Sequence, residues 1–238
     1  MDNRVQQATQ LWSEVNAAVS PYPHGVLAVP EPLKGTAFFP GGLGLWVDGE
    51  QAPLSSSLPR VLIVGQDFNT LRAYNRFCRV GTEVGFSATW RNLLPILSTA
   101  GVPCEACVFT NFYMGLRESG PESGQFAGAK DPSFKERCAS FFIRQVNVWK
   151  PTLILTLGLP TLIAVAGVFG ERAPDKICDC DFIFHNLCMG HGLGALVALT
   201  HPSYYRANIG RRRYRDLEGA TAEQAMITDG LTASGMTF

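Results

Sequence analysis

Hydrophobic residues follow two different spacings along this chain, and the two spacings alternate. Between residues 3 and 19 apolar positions recur every three or four residues, which predicts an amphipathic helix. The uninterrupted apolar run Val61-Leu62-Ile63-Val64 instead predicts a strand buried on both faces. Three further runs predict strands of the same kind: residues 106–111, 153–158 and 196–200.

Helical spacing returns between the strands. A helix is expected around residues 90–97, another from Asp131-Pro132 to Trp149, and a third from Pro160. Such alternation predicts a three-layer α/β/α fold with a central four-stranded parallel sheet. We expect a single domain over residues 1–238, with its core at about residues 60–215.

The remaining segments lack a regular pattern. Residues 20–59 hold seven of the 15 prolines and predict a long irregular wrap after the N-terminal helix. We also expect irregular structure in four other places: a loop with short helical turns at 68–88, a Gly- and Ser-rich loop at 115–131, a cysteine-bearing insertion at 170–194, and a basic helix or loop ending near 218. The last twenty residues are small and polar, which predicts a short helix and a frayed end.

The amino-acid composition indicates a globular protein. Hydrophobic residues make up 46% and charged residues 17% of the chain, which are globular values. The formal net charge is zero, so any polyanion site needs a local cluster. One cluster exists within ten positions: Arg206, Arg211, Arg212, Arg213 and Arg215.

The cysteines and the N-terminus bear on location. Seven cysteines, an odd number, are present, and residues 1–6 do not resemble a secretory leader, so we expect reduced thiols and a cytoplasmic protein. We also expect a monomer. Residues 151–170 carry no charge, but Pro160, Gly158 and Gly167 interrupt the run. A buried strand, turn and helix explain this segment better than a membrane span.

A metal site is the alternative explanation of the cysteines. Cys104 and Cys107 are separated by two residues, and a second group contains Cys178, Cys180, His185, Cys188 and His191. These side chains could hold zinc or an iron–sulfur cluster. Cys107 also falls in a predicted buried strand, where a small apolar residue fits, and we expect neither a metal nor another cofactor.

Polar residues stand where the predicted strands end. Asp67 follows the first strand, Asn111 ends the second and His201 follows the fourth, with Gly158 at the end of the third. The carboxyl ends of parallel strands form the usual ligand site of an open α/β sheet. Taken singly, each residue also has an ordinary structural explanation, such as a side chain that caps a turn.

Together with neighbouring residues, this pattern resembles the uracil-DNA glycosylase superfamily over about residues 60–215. The resemblance rests on five motifs: Gly65-Gln66-Asp67, Gly85-Phe86-Ser87, Thr110-Asn111, the strand 153–158 and His201-Pro202-Ser203. It implies the three-layer fold predicted above and hydrolysis of the bond between a base and its sugar in DNA.

The resemblance also implies residue roles. Asp67 would position or activate water and face the cationic sugar, and His201 would stabilise the departing base anion. Phe86 would stack on the extruded base, and Asn111 would bind its edge. Further pocket residues are expected at Gln66, Phe68, Asn69 and Ser203. Residues expected to contact DNA are Tyr204, Tyr205 and Arg206, as a wedge, and Arg211, Arg212 and Arg213.

Elementary chemistry fits these residue types. Breaking an N-glycosidic bond places positive charge on the sugar and negative charge on the base, and fixed groups of opposite polarity stabilise both. A base within a duplex must be flipped into a pocket before it can react. A side-chain amide both donates and accepts, which suits the edge of a pyrimidine.

One departure from the family pattern leaves alternatives open. The best-known members continue Gly-Gln-Asp with Pro-Tyr, and that tyrosine excludes thymine, whereas this chain has Phe68-Asn69. We therefore expect excision of uracil or a related pyrimidine lesion. The alternatives are a non-catalytic nucleic-acid-binding protein of the same fold, and a hydrolase or transferase of free nucleosides or nucleotides.

Overall fold

A computed structural model describes residues 3–30, 46–47, 50–51, 61–80, 87–176 and 183–236. Its helices are α1 (Asn3–Val19), α2 (Leu71–Val80), α3 (Ala88–Thr99), α4 (Pro132–Trp149), α5 (Leu159–Val168), α6 (Tyr205–Asn208) and α7 (Gly219–Ala233). The strands of the central sheet are β4 (Val61–Gly65), β5 (Cys107–Asn111), β7 (Leu153–Leu157), β8 (Ile183–Cys188) and β9 (Leu193–Leu199). Three two-stranded pairs complete the described strands: β1 (Val26–Leu27) with β6 (Leu116–Arg117), β2 (Trp46–Val47) with β3 (Glu50–Gln51), and β10 (Arg213–Tyr214) with β11 (Leu217–Glu218).

The central sheet has the strand order β5-β4-β7-β9-β8. The four strands predicted from sequence are parallel to one another, and β8 adds a fifth strand that is antiparallel to β9. The sequence predicted four strands, whereas the observed sheet has five. This edge strand lies within the segment expected to be an irregular insertion, and its pairing is interrupted between Phe184 and Leu187. Its mixed polar and apolar sequence does not resemble the continuous apolar runs of the other four.

Helices cover both faces of the sheet, as the three-layer prediction requires. In β4, Leu62 and Val64 face an apolar cluster with α1, α4 and α5, whereas Val61 and Ile63 face a second cluster with α3 and α7. All five residues of β4 are buried. The alternation of faces along one strand explains why the run is apolar throughout.

Two helices differ from the sequence prediction. Helix α2 spans Leu71–Val80, where a loop with short helical turns was expected. The sequence did not predict this helix because its buried face consists of only Ala73 and Phe77, and arginines occupy much of the rest. Helix α7 spans Gly219–Ala233 where only a short helix was expected. Its small residues permit close packing on the sheet, which composition alone does not indicate.

The uncharged segment 151–170 forms β7 and α5, as predicted, with Gly158 between them at φ 85°. Among the described residues no helix is both long and apolar enough to span a bilayer. The structure describes only part of the expected wrap at 20–59, where β1 pairs with β6. Residues 31–45, 48–49 and 52–60 lie outside the described residues.

Candidate functional site

The carboxyl ends of the parallel strands border one cavity of about 750 Å³. Asp67 follows β4, Asn111 ends β5 and His201 follows β9, and all three line this cavity. The register of the sheet causes this convergence, since Gly65 pairs with Asn111 and Leu157 pairs with Leu199. Other predicted site residues in the lining are Gln66, Phe68, Asn69, Ser203 and Tyr204.

The Asp67 carboxylate is paired with Arg117. Arg117 Nη2 lies 2.7 Å from Asp67 Oδ2, and Arg117 Nε donates to Oδ1 at 3.2 Å. The side chains are only 8% (Arg117) and 4% (Asp67) exposed. The Asn69 N–H also donates to Oδ1, at 2.8 Å. Burial raises the pKa of Asp67, while the hydrogen bonds and charge of Arg117 oppose that rise.

Arg117 also fixes one wall of the cavity. Its Nη1 donates to the carbonyls of Pro121 and Ser123 at 3.2 and 3.0 Å, and its Nη2 donates to Gly124 at 2.9 Å. Together with the two bonds to Asp67, these contacts use all five N–H donors of a guanidinium. Arg117 thus holds the 121–124 loop and the carboxylate in one arrangement.

His201 is held as a neutral ring. Its Nδ1 accepts a hydrogen bond from the Ser203 N–H at 3.2 Å. Burial, helped by the charge of Arg117, lowers the pKa of His201 to about 4. A neutral imidazole whose Nδ1 accepts carries its proton on Nε2. The ring therefore offers the cavity a hydrogen-bond donor without a positive charge.

Helix α3 supports the segment that carries His201. Ser87 caps this helix by accepting from the Thr89 N–H at 3.1 Å. The Thr89 and Ser203 hydroxyls lie 2.8 Å apart, and Asn92 Nδ2 donates to the Pro202 carbonyl at 2.6 Å. Phe86, the expected base-stacking residue, lies outside the described residues.

Strand β5 continues beside the end of β4. Phe112 and Tyr113 donate from their backbone N–H groups to the carbonyls of Gly65 and Gln66, each at 2.9 Å. Asn111 is 3% exposed and lines the cavity at this junction. The Gln66 side-chain nitrogen is also buried and has no hydrogen-bond partner among the described residues. Both amides are thus placed beside the Asp67 motif.

Phe68 and Asn69, which follow Gly65-Gln66-Asp67, have different roles in the structure. Phe68 packs against the apolar cluster beneath the cavity. Asn69 has a left-handed backbone with φ 69°, and its Oδ1 accepts from the Thr70 N–H at 2.8 Å. Thr70 in turn accepts from the Ala73 N–H at the start of α2. Asn69 therefore turns the chain from β4 into α2 at the edge of the cavity.

The structure corrects one predicted DNA contact. Arg212 is fully buried, and its Nη2 donates to the Ala198 carbonyl and contacts the Met226 sulfur. Its charge also acts on the buried carboxyl of Glu223, which accepts the Thr200 N–H just before His201. Arg212 cannot reach a phosphate because its guanidinium lies inside the protein, at the end of β9.

The other predicted DNA-contacting residues lie at or near the surface. Tyr204 is 42% exposed, and its ring centroid lies 6.0 Å from that of His201. Tyr205 is half-buried, whereas Arg206 and Arg211 are exposed. Arg213 is also exposed, but its Nε lies 3.1 Å from Glu218.

Sequence reasoning missed Arg117 and Glu223. Arg117 lies in the segment 115–131, which was expected to be a Gly- and Ser-rich loop, and Glu223 belongs to a stretch expected to be a short polar helix. Each is a charged residue whose burial depends on residues distant in sequence. No local pattern distinguishes it from an exposed residue of the same type.

The cysteines of the alternative metal site are only partly described. Within the described ranges no group of three or more His, Cys, Asp or Glu residues is arranged to hold a metal ion. Cys107 is buried in β5, as expected. Cys178 and Cys180 lie outside the described residues.

No protein-family model matches this chain, and a search of the curated proteins also gave no match.

Proposed function

We propose that this protein is a DNA glycosylase that hydrolyses the N-glycosidic bond of uracil or a related pyrimidine lesion. The observation that carries the proposal is the placement of Asp67, Asn111 and His201 around one cavity at the ends of parallel strands. A cavity of about 750 Å³ falls in the usual size range of ligand sites. The five sequence motifs that resemble the uracil-DNA glycosylase superfamily supply the reaction type.

His201 would stabilise the leaving base. When the bond between sugar and base breaks, its electron pair leaves with the base, which becomes an anion. The Nε2–H of the neutral His201 ring donates a hydrogen bond to that negative charge. A donor that is fixed before the reaction lowers the barrier without further reorganisation.

Asp67 would act mainly through its charge. Its two oxygens accept three hydrogen bonds from Arg117 and Asn69, which leave little of the carboxylate open to take a proton from water. The sugar cation needs a nearby negative group, and the water that attacks it needs a fixed position. We assign both tasks to the Asp67 carboxylate, whose orientation Arg117 holds. The proton that this water loses passes, directly or through solvent, to the departed base anion, which leaves as the neutral base.

The amides and the surface residues would bind substrate. Asn111 and Gln66 offer hydrogen bonds to the edge of a flipped base. Tyr204 and Tyr205 would fill the vacated position in the stack, and Arg206, Arg211 and Arg213 would contact phosphates. No disulfide joins the five described cysteines to one another, which supports a cytoplasmic location.

The test is release of the base from uracil-containing oligonucleotides, both single- and double-stranded, with other pyrimidine lesions in parallel. Asp67→Asn and His201→Ala are expected to lower the single-turnover rate about 100-fold or more, as removal of fixed electrostatic groups does in other enzymes. Glu122→Gln, at the cavity wall, should excise at nearly the wild-type rate. If no lesion in the panel is released by the wild-type protein, the enzyme proposal fails.

A non-catalytic nucleic-acid-binding protein is the second candidate. The Asp67–Arg117 pair favours it, because a carboxylate neutralised by an arginine stabilises a cation less than a free one does. Salt-dependent binding of DNA with no base release would select this candidate.

A further inference from the structure

We propose that the exposed face of α2 is a second phosphate-binding surface, formed by Arg72, Arg76 and Arg79. A DNA strand would run from α2 across the mouth of the cavity to the segment that carries Arg206 and Arg211. The inference rests on the proposed function for the choice of DNA as the partner.

The three arginines share one side of the helix. At 100° per residue, Arg72, Arg76 and Arg79 fall within about 60° of one another around the axis. All three are exposed, while Ala73 and Phe77 are the buried residues of α2. The helix contains no acidic residue. A charged helix face that only needs to be soluble usually mixes the two signs of charge.

The stability of α2 does not explain why three arginines lie on one side of it. Arg79 lies in the last turn, where a positive charge interacts favourably with the helix dipole. Arg72 lies in the first turn, where the same charge is unfavourable and an acidic residue would be preferred. Residues that lower stability without a packing role are typical of functional surfaces.

Ion pairs within the protein do not explain the three arginines either. Arg76 forms an exposed pair with Glu122, with Arg76 Nη2 3.2 Å from the carboxylate. Within the part of the chain that the structure describes, neither Arg72 nor Arg79 has an acidic partner within 4.0 Å. These two charges are available to a polyanion.

Helix α2 lies beside the cavity, so a DNA strand bound to its arginines would also pass the cavity. Tyr74, Arg76 and Phe77 of α2 line the cavity, as do Tyr204 and Asn208 after β9. Strand β7 lies between β4 and β9, so the ends of those two strands are about 10 Å apart. Arg72 and Arg79 are also about 10 Å apart along the helix axis.

These separations define the length of substrate. A single strand of B-form DNA advances about 3.4 Å per phosphate, so about 10 Å corresponds to three nucleotides. A mononucleotide held in the cavity could not reach both sides. A strand that covers about 10 Å along α2 and about 10 Å to the Arg206 segment must be about six nucleotides long.

The experiment compares two double variants by fluorescence anisotropy with labelled single-stranded oligothymidylate of 4 and 16 nucleotides, over a range of salt. Arg72→Gln/Arg79→Gln removes the two unpaired charges of α2. Lys135→Gln/Arg144→Gln removes two exposed charges of α4, which does not line the cavity. Glutamine keeps the helix propensity of arginine and lysine, so the variants should fold.

We expect the α2 variant to bind the 16-mer about tenfold more weakly at moderate salt. Its slope of log affinity against log salt should be shallower by about 1.4, since each single-strand phosphate contact contributes about 0.7. The α4 variant should match the wild type in both respects. For the 4-mer the α2 effect should shrink, because four nucleotides are too few to cover the length of α2 and the distance to the Arg206 segment together.

Equal affinity and salt slope for the α2 and α4 variants would overturn the proposal. A wild-type protein that binds the 16-mer but releases no base would overturn the glycosylase function and leave the α2 surface intact. A wild-type protein without salt-dependent affinity for the 16-mer would overturn the α2 surface, whatever its activity on a base.

Discussion

Asp67 and Arg117 are joined by two hydrogen bonds and are both nearly inaccessible to solvent. The desolvation cost of two buried charges is offset only when each remains paired and hydrogen-bonded. Here the guanidinium has protein partners for all five donors, so the pair combines a structural role with the placement of a carboxylate at the cavity. Removal of one partner should therefore affect stability as well as chemistry.

The first prediction concerns this pair. Arg117→Met leaves the Asp67 carboxylate buried without its partner and should lower the free energy of unfolding by about 3–5 kcal/mol. Adding Asp67→Asn should recover part of that loss, because the uncompensated charge is gone. Urea denaturation of the single and double variants measures both effects.

The control for that cycle is the exposed pair Arg76–Glu122, whose side chains are 49% and 39% exposed. Arg76→Met should cost less than about 1 kcal/mol, since solvent screens such pairs. A cost for Arg117→Met no greater than that for Arg76→Met would show that the buried pair does not support the fold.

The second prediction is a pH dependence of stability due to His201. Its pKa is about 4 in the folded protein, against an ordinary value of 6.5 for a histidine, so below pH 6.5 the unfolded chain binds the proton more readily. Stability from this residue is complete above pH 6.5 and is lost as the pH falls towards 4. The full loss is about 3 kcal/mol for a shift of this size.

His201→Asn removes this titration. The wild-type protein should therefore lose more stability than the variant between pH 6.5 and 4, as measured by urea denaturation at several pH values. The difference isolates His201, because other ionisable groups are common to both proteins. Parallel curves for the two proteins would contradict the burial of a neutral imidazole.

At the scale of elements, local signals predicted some boundaries well and others poorly. Helix α4 begins at Pro132 as expected, since Asp131 accepts the Phe134 N–H at 2.7 Å and proline suits the first turn. Helix α2 was underestimated because Phe77 is the only large apolar residue among those buried in it, and α7 because small and polar residues surround Met226, Ile227 and Leu231 in the sequence. Strand β8 was missed since its pairing with β9, rather than its own pattern, makes it a strand.

The third prediction tests the packing of α7 on the sheet. A Cβ at Gly230 would lie 2.6 Å from Val197 Cγ2 and 3.1 Å from Leu153 Cδ1. Gly230→Ala should therefore destabilise the protein by about 1–3 kcal/mol through overpacking. Gly167 in α5 is the matched control, because a Cβ there meets nothing within 4 Å.

Gly167→Ala should stabilise the protein by up to about 1 kcal/mol, owing to the better helix propensity of alanine. Thermal denaturation of the two variants measures the contrast. If both substitutions shift the melting temperature in the same direction, α7 does not pack on the sheet as closely as the structure indicates.

At the scale of the whole molecule, the site depends on strand order. Strands β5, β4, β7 and β9 are neighbours in space although they are far apart in sequence, and their parallel register aligns the residues that follow them. Asp67 and His201 are separated by more than 130 positions in the chain and border the same cavity. Because the net charge is zero, the proposed binding of DNA would depend on local surfaces, such as the arginines of α2 and of the segment after His201.

The amino-acid sequence by itself determined the four parallel strands, the helices α1, α3, α4 and α5, and the polar residues at the strand ends. Those features follow from local spacing, because burial on two faces requires a continuous apolar run and burial on one side of a helix requires a repeat of 3.6 residues. Only the tertiary structure decided that Asp67 is paired with Arg117, that Arg212 is buried rather than exposed, and that His201 is neutral. Burial and partnership of a charge depend on distant residues, so no local pattern specifies them.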